Sequence, residues 1–302
     1  MSETEIGTRC GFIAVIGAPN AGKSTLVNTL VGAKVAIVSR KVQTTRATLR
    51  GIAVEGTSQL IFIDTPGIFA PRRRLDRAMV DAAWGGAGEA DQVLLVVDAA
   101  KGLEEDVERI LGGLQGSRVP PLLALNKIDR VKKDQLLELA AVLNARVPFG
   151  ATFMISALNG SGVADLKSHL ARSVAPGPWH YPEDEISDAP MRVLAAEITR
   201  EKMYDRLHEE LPYEAAVETT AWLEQKNGVR IEQTIYVERD SQKSIVLGKG
   251  GSMIKQLSME SRKELSKLLD QPVHLFLFVK VRAGWGDDPE RYRDLGLAFP
   301  KK

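Results

Sequence analysis

From Gly11 to about Ala175, short apolar runs alternate with longer segments in which apolar residues return at helical spacing. The runs FIAVIG, LIFID, VLLVVD, PLLALNK and ATFMISA read as strands, and their alternation with helical segments predicts an α/β fold, a mostly parallel sheet with helices on both faces. The pattern breaks at APGPWHYPEDEISDAP, where Pro176, Pro178, Pro182 and Pro190 predict an ordered but non-helical connector over 176–190. Beyond it, Met191–Leu211 has helical periodicity up to Pro212, and Ala215–Trp222 and Ile231–Glu238 read as strands around a turn at Asn227-Gly228. A Gly-rich loop after a short apolar strand then leads into a helix from about Ser252 to Leu269 and a last strand, Val273–Val281. The second half, 191–302, is therefore expected to run helix, strand, strand, helix, strand, an α+β order that does not repeat the first half over 11–175.

Composition narrows the classes that remain. With 302 residues, 44% apolar and 26% charged, the chain has ample core for two domains without disulfide or metal staples. Lys and Arg number 40 against 39 Asp and Glu, and a net charge of +1 excludes a polycation that holds nucleic acid by bulk charge. The N-terminal MSETEIGTRCGF lacks the basic-then-apolar order of a secretory signal, and runs such as Val93–Val97 and Val273–Val279 fall far short of the ~20 residues of a membrane-spanning helix. A cytoplasmic protein is expected, with membrane contact limited to peripheral association at the inner face. The single cysteine, Cys10, reads as a small apolar residue, the four His residues show no metal-ligand spacing, and no extra apolar helix face argues against a monomer.

Candidate chemistry begins directly after the first strand. GAPNAGKST contains Gly17, Gly22, Lys23 and Ser24 in the pattern GxxxxGK[ST] at the opening of a helix. Backbone N–H groups from Gly17 through Thr25, including Ala18, Pro19's neighbours, Asn20 and Ala21, are expected to curl around phosphate oxygens, with the helix N-terminus adding its positive end. Lys23 would reach the terminal phosphates and the Ser24 hydroxyl would be a magnesium ligand. LIFIDTPGI places Asp64 at a strand end, where it would orient magnesium, followed by Thr65, Pro66, Gly67 and Ile68 as expected nucleotide contacts, with the Gly67 N–H able to sense the terminal phosphate. PLLALNKID supplies Asn126, Lys127 and Asp129. A carboxylate there can accept two hydrogen bonds from guanine, whereas adenine offers no such donor pair, so GTP and GDP are the expected ligands. MISALNG adds Ser156, Ala157 and Leu158 after the fifth strand as backbone support for the base.

Four such motifs in order define a GTPase of the Ras-like P-loop superfamily. More narrowly, GAPNAGKST, the pair Thr44-Thr45 in SRKVQTTRATLRGI, and DTPGI resemble the Era branch of bacterial GTPases. The resemblance implies that a switch threonine closes over magnesium and the terminal phosphate; the motif match favours Thr45 over Thr44. Ile68 follows DTPG where Ras-like enzymes place a water-orienting Gln, and an aliphatic side chain cannot do that work, so slow intrinsic turnover is expected. Asn20 has two readings, a turn-stabilising residue or an amide ligand for a potassium ion beside the phosphates. Arg72, Arg73 and Arg74 form either a solvated face or a partner contact.

In the second half, SIVLGKGGSMIKQLSMESRKEL carries Gly248, Lys249, Gly250 and Gly251 ahead of an amphipathic helix. Such a loop is either an ordinary turn or the GxxG clamp by which KH domains hold single-stranded RNA, with Val246, Leu247 and Ile254 lining a groove for bases. Ser241–Met259 holds Lys243, Lys249 and Lys255 and no acid, although 191–302 as a whole balances 19 basic against 18 acidic residues. GPWHYPEDEISD, AEITREKMYDRLHEELPYEAAVE, YVERDSQKSIVLGKGGSMIK and VKVRAGWGDDPERYRDLGL are similar to the C-terminal half of Era in unbroken order. The resemblance implies a type II KH fold, binding to the 3′ end of small-subunit ribosomal RNA, and a role in maturing the 30S particle. The competing expectation is a GTPase acting on a membrane or cell-division partner, with the KH-like half as a protein dock. Trp285, between Gly284 and Gly286, either packs the terminal segment or stacks a base.

Overall fold

In the computed structural model the described residues are 7–38, 49–207, 211, 215–284, 288–294 and 296–300. Thr44, Thr45 and Trp285 lie outside them. The alternation in the first half builds a six-stranded sheet in the order β2-β3-β1-β4-β5-β6. Five strands, β1 (Arg9–Ile16), β3 (Ser58–Asp64), β4 (Gln92–Asp98), β5 (Leu122–Asn126) and β6 (Ala151–Met154), run parallel. The remaining strand, β2 (Leu49–Glu55), does not stand out in the sequence pattern; it pairs antiparallel with β3 across the turn at Gly56-Thr57. Period-2 alternation sends neighbouring residues of β1 to opposite faces. Ile13 and Val15 join Leu26, Phe62 and Leu166 on one side, and Ala14 and Ile16 join Leu95, Ile110 and Leu143 on the other. Helices α1 (Lys23–Val31) and α5 (Val163–Ser173) cover the first face; α2 (Arg74–Glu89), α3 (Glu105–Leu114) and α4 (Lys133–Arg146) cover the second. Because the parallel strands share one direction, Gly17, Asp64, Asp98, Asn126 and Ile155–Ala157 all emerge at their carboxyl ends, the edge where such sheets bind ligands.

The connector is ordered and non-helical. Gly177 N–H donates to Thr8 O at 3.0 Å, Trp179 Nε1 to Thr57 O at 3.0 Å, and Ile52 N–H to Ile186 O at 2.9 Å. The Gln59 side chain accepts from His180 N–H at 2.9 Å and donates to Tyr181 O at 2.8 Å, so the segment is laced onto β2 and β3. Cys10 also sits beside Gln59, and burial raises its thiol pKa, the opposite of an activated nucleophile. The end of the chain belongs to this unit too. Tyr292 and Leu297 are buried against Ala78 and Met79 of α2, Phe299 meets Tyr292 edge-on at 4.8 Å, and the Arg74 guanidinium lies 5.0 Å from the Phe299 ring centre. Arg74 thus packs on the terminal segment, while Arg72 and Arg73 are exposed.

The second unit contains Ile37–Val38 and residues 189–291. Its elements are α6 (Met191–Arg206), β7 (Ala216–Gln225), β8 (Gly228–Val237), α7 (Asp240–Leu247), α8 (Ser252–Leu268) and β9 (Val273–Val281). β7 and β8 form an antiparallel hairpin and β9 joins β8 in parallel. Leu194, Ile198, Ile231 and Leu265 fill one part of the core, and Met203, Ile235, Val246 and Leu257 the other. Two expectations need correction here. The run before the Gly-rich loop is not a strand: α7 starts where Gln242 Oε1 accepts Glu238 N–H at 2.8 Å, a cap that outweighs the β-branched residues downstream. Val246, expected to line a base groove, is fully buried in the core because helical spacing turns it inward; Ile245, 54% exposed, takes the outward position.

Candidate functional site

The loop from Gly17 to Ser24 leaves β1 and enters α1 with no side-chain cap, so the first N–H groups of α1 face the loop. Gly22 has φ 97°, and a Cβ there would lie 2.3 Å from Asn126 Nδ2, so glycine is required for the loop to sit on the Asn126 side chain. Lys23 is buried, its Nζ donating to Gly17 O and Ala18 O at 3.1 Å each. Burial pushes its pKa down to about 8, opposed by the nearby Asp64 carboxylate. Ser24 Oγ donates to Asp64 Oδ2 at 2.7 Å, which brings a hydroxyl and a carboxylate from two elements to one point beside Lys23. Thr25 is half-buried on the first turn of α1. Gly67 approaches the loop so closely that a Cβ would meet Pro19 at 3.0 Å.

A second group of residues ties the loop to β5 and to the turn after β6. Asn126 Nδ2 donates to Ala21 O at 2.8 Å while its Oδ1 accepts Ala157 N–H at 2.9 Å. Lys127 has φ 64°, and its Nζ donates to Asn20 O at 2.7 Å. Ser156 Oγ donates to Asp129 Oδ1 at 2.5 Å, and this bond, ahead of smaller contributions from neighbouring cations, lowers the Asp129 pKa. Asp129 is thereby held as an acceptor-only carboxylate. Gly17–Thr25, Asp64–Gly67, Asn126–Asp129 and Ser156–Ala157 therefore meet along one edge of the sheet.

Several expected contacts are not available. Ile68 is fully buried among Ala14, Ile16 and Ala18, and its N–H is engaged by Gly17 O at 3.1 Å, so it is corrected from a nucleotide contact to a core residue. The Thr65 hydroxyl is turned inward onto Val15 O at 2.8 Å and Pro66 is buried, whereas Leu158, expected to contribute through its backbone, follows Ala157 with its side chain 78% exposed. One residue that sequence reasoning missed stands in the middle of the site. Asp98, the last residue of β4, lies in register with Asn126 and pairs through Oδ2 with Lys127 Nζ at 2.6 Å. The only trace in the sequence is an acid ending an otherwise apolar strand.

In the second unit, α7 and α8 are joined through Gly248–Gly251, with Gly248, Gly250 and Gly251 at φ 71°, 60° and 76°. A Cβ on Gly248 would lie 2.8 Å from Met253 N, whereas Gly250 and Gly251 face open space. Lys249 and Lys255 are exposed, and Leu247 and Ile254 are half-buried beside them. The result is a helix–glycine turn–helix with an accessible backbone and two cations at its tip.

A P-loop GTPase sheet followed by a helix–GxxG–helix unit defines the class: a GTPase joined to a KH domain. The model of a family described as a 50S ribosome-binding GTPase matches residues 12–127, and a KH domain model matches residues 210–286. GTPase Era of Rhizobium meliloti is 64% identical over 297 residues, 98% of this chain and 95% of that protein. GTPase Era of Agrobacterium fabrum is 63% identical over 300 residues, 99% and 95% of the two chains. Among solved structures, Era in complex with MgGDPNP and nucleotides 1506–1542 of 16S ribosomal RNA aligns with a TM-score of 0.91 at 36% identity, covering 96% of this chain and 99% of that one. A single-residue variant of Aquifex aeolicus Era bound to GDP.AlF4⁻ aligns with a TM-score of 0.91, also at 36% identity, covering 96% and 100%. The chain belongs to the Era family of GTPases.

Proposed function

We propose that this GTPase binds the 3′ end of small-subunit (16S) ribosomal RNA in a GTP-dependent manner and thereby assists maturation of the 30S particle in the cytoplasm. The observation that carries the reading is the match to Era holding MgGDPNP and 16S RNA together, since this chain has a nucleotide edge in one unit and a GxxG turn in the other. That complex favours RNA over a membrane or division partner as the ligand of the second unit, and no described helix is long and apolar enough to cross a membrane. Binding of a 16S 3′-end oligonucleotide to the full chain, loaded with a GTP analogue or GDP, tests the reading.

In this account the N–H groups of the loop and of α1 hold the phosphates. Lys23 transfers its hydrogen bonds from Gly17 O and Ala18 O to phosphate oxygens, a change favoured because a buried ammonium gains a fixed anion. The oxygen donors Ser24 and Asp64 suit magnesium, a hard cation that prefers hydroxyl and carboxylate ligands, with Thr45 the proposed third residue. When bound, magnesium neutralises charge developing on the phosphates. Gly67 N–H senses the terminal phosphate. Asp129 accepts from guanine, Ser156 holds its carboxylate, and Ala157 N–H, fixed by Asn126, sets the turn beside the base.

The Lys23 pKa gives this site a pH dependence. Nucleotide phosphates favour the charged form, so the lysine pKa rises on binding and a proton is taken up above pH ~8. GDP affinity is therefore expected to be level below pH 7 and to fall by up to about tenfold per unit above pH 8, where the free protein has lost that proton. Titration calorimetry in two buffers of different ionisation heat checks it: proton uptake at pH 8.5 supports the assignment, and none contradicts it.

With Ile68 in the core, its side chain cannot orient the attacking water, and Asn20 is proposed as a ligand for a potassium ion that supplies charge stabilisation beside the phosphates. Asn20 stands in the phosphate loop at φ 63°, with its backbone oxygen accepting from Lys127 Nζ at 2.7 Å, so its side chain is carried on a fixed backbone beside the phosphate site. Hydrolysis in potassium salt is expected to exceed that in sodium salt by about 10²-fold, the effect of one preorganised charge-stabilising group. Asn20→Ala should abolish the difference, and equal rates of the unsubstituted protein in both salts would sink the ion assignment.

A further inference from the structure

Asp98 belongs to none of the motifs that identify the nucleotide site, yet it is built into that site more tightly than an ordinary surface acid. Its side chain is 9% exposed, and both carboxylate oxygens are engaged. Oδ1 accepts Ala100 N–H at 3.0 Å and so fixes the turn after β4, while Oδ2 pairs with Lys127 Nζ at 2.6 Å. The same ammonium donates to Asn20 O in the P-loop at 2.7 Å. Between those two anchors the lysine stem passes the loop, with Cε 3.9 Å from where a Gly22 Cβ would stand. Three segments distant in sequence, the β4 turn, the 126–129 strap and the phosphate loop, are thus joined through one lysine whose carboxylate partner is Asp98.

From this geometry we infer that Asp98 is a positioning residue for guanine-nucleotide binding: it holds Lys127 across the P-loop and sets how slowly bound nucleotide leaves. A lysine tethered only to Asn20 O would keep several rotatable bonds in motion, and those must be frozen again for a base to rest beside its stem. A charge-assisted bond at a largely buried carboxylate removes that freedom in advance, and preorganisation of a binding group appears chiefly in the off-rate. The inference rests on the proposal that residues 126–129 hold the guanine base.

The test is release of N-methylanthraniloyl-GDP from the full chain, followed by stopped-flow fluorescence for the unsubstituted protein, Asp98→Asn, Lys127→Ala and the double variant. Asp98→Asn keeps an oxygen that can accept Ala100 N–H, so the turn is retained while the charge is lost; Asp98→Ser offers a hydroxyl for the same purpose should the amide variant fold poorly. Release is expected to quicken about tenfold in Asp98→Asn, the size of one charge-assisted bond. It should quicken at least as much in Lys127→Ala, with the double variant no faster than Lys127→Ala alone, as two residues acting through one contact require. A purely structural Asp98 would instead multiply its effect onto that of Lys127→Ala, and that outcome, or release from Asp98→Asn within twofold of the unsubstituted protein, overturns the inference. Asp129→Asn is measured in parallel: if it keeps its preference for GDP over XDP, the guanine reading itself is at fault, whereas a switched Asp129→Asn beside an unaffected Asp98→Asn rejects the inference alone.

Discussion

Asp129→Asn is expected to lower affinity for GTP by about 10³-fold or more and to make xanthosine triphosphate the preferred nucleotide. The Asp129 carboxylate has its pKa lowered, first by the Ser156 hydroxyl at 2.5 Å, so at neutral pH it offers only acceptors to the base. Guanine presents a ring N–H and an amino group at that edge, and the amino group loses its acceptor and faces a donor when an amide NH₂ replaces one oxygen. Xanthine carries a carbonyl in place of the amino group and can accept from that NH₂. Because the neighbouring bonds, Asn126 to Ala21 O and to Ala157 N–H, do not involve Asp129, the loop scaffold stays intact and the effect falls on base choice. Competition between GTP and XTP for the variant measures it; unchanged GTP selectivity would remove Asp129 from the base site.

The second large effect is expected at the glycine turn. Replacing Gly250 and Gly251 together by Asp should weaken RNA binding by about 10²-fold or more, since like charges brought together at an interface cost several kcal/mol. Both positions face open space, so a Cβ there meets no atom within 4 Å, and a carboxylate on it would repel a phosphate approaching the turn. Asp also tolerates the positive φ values of 60° and 76° better than most residues, so the unit should stay folded. Gly248 is not a suitable site for the same test, because a Cβ there collides with Met253 N and would disturb α8 itself. Oligonucleotide binding by fluorescence anisotropy, with GDP affinity as the control for the other unit, reads the effect. RNA affinity that survives both substitutions would place the contact elsewhere.

What the sequence revealed and what it hid follow from the range of the interactions involved. Parallel strands announce themselves because they are apolar on both faces, and the loop and base-reading motifs lie directly at their ends. Strand β2 is quieter: Arg50 and Gly51 interrupt its apolar run, and it is held by the hairpin with β3 rather than by a pattern of its own. The residues of α7 read as a strand because Ile245, Val246 and Leu247 favour one, and the deciding cap comes from Gln242 reaching back to Glu238. That error carried Val246 from the core to the groove. Asp98 and the terminal Tyr292 were invisible for a different reason, since what marks each as part of its surroundings is a partner far away in sequence, Lys127 in one case and Met79 in the other. Ile68 was visible as a departure from the Ras pattern, but only packing shows that its side chain serves the sheet.

As a switch, the protein is expected to hold RNA according to the state of its bound nucleotide. Allosteric coupling of this kind amounts to about 1–3 kcal/mol, or roughly 5–150-fold in affinity. The most direct measurement is the Kd of the full chain for a 16S 3′-end oligonucleotide at fixed salt, taken once with a non-hydrolysable GTP analogue and magnesium and once with GDP and magnesium. Binding about tenfold tighter in the GTP-analogue state is expected; equal affinity in the two states would rule the switch out, leaving two binding sites on one chain with no coupling between them.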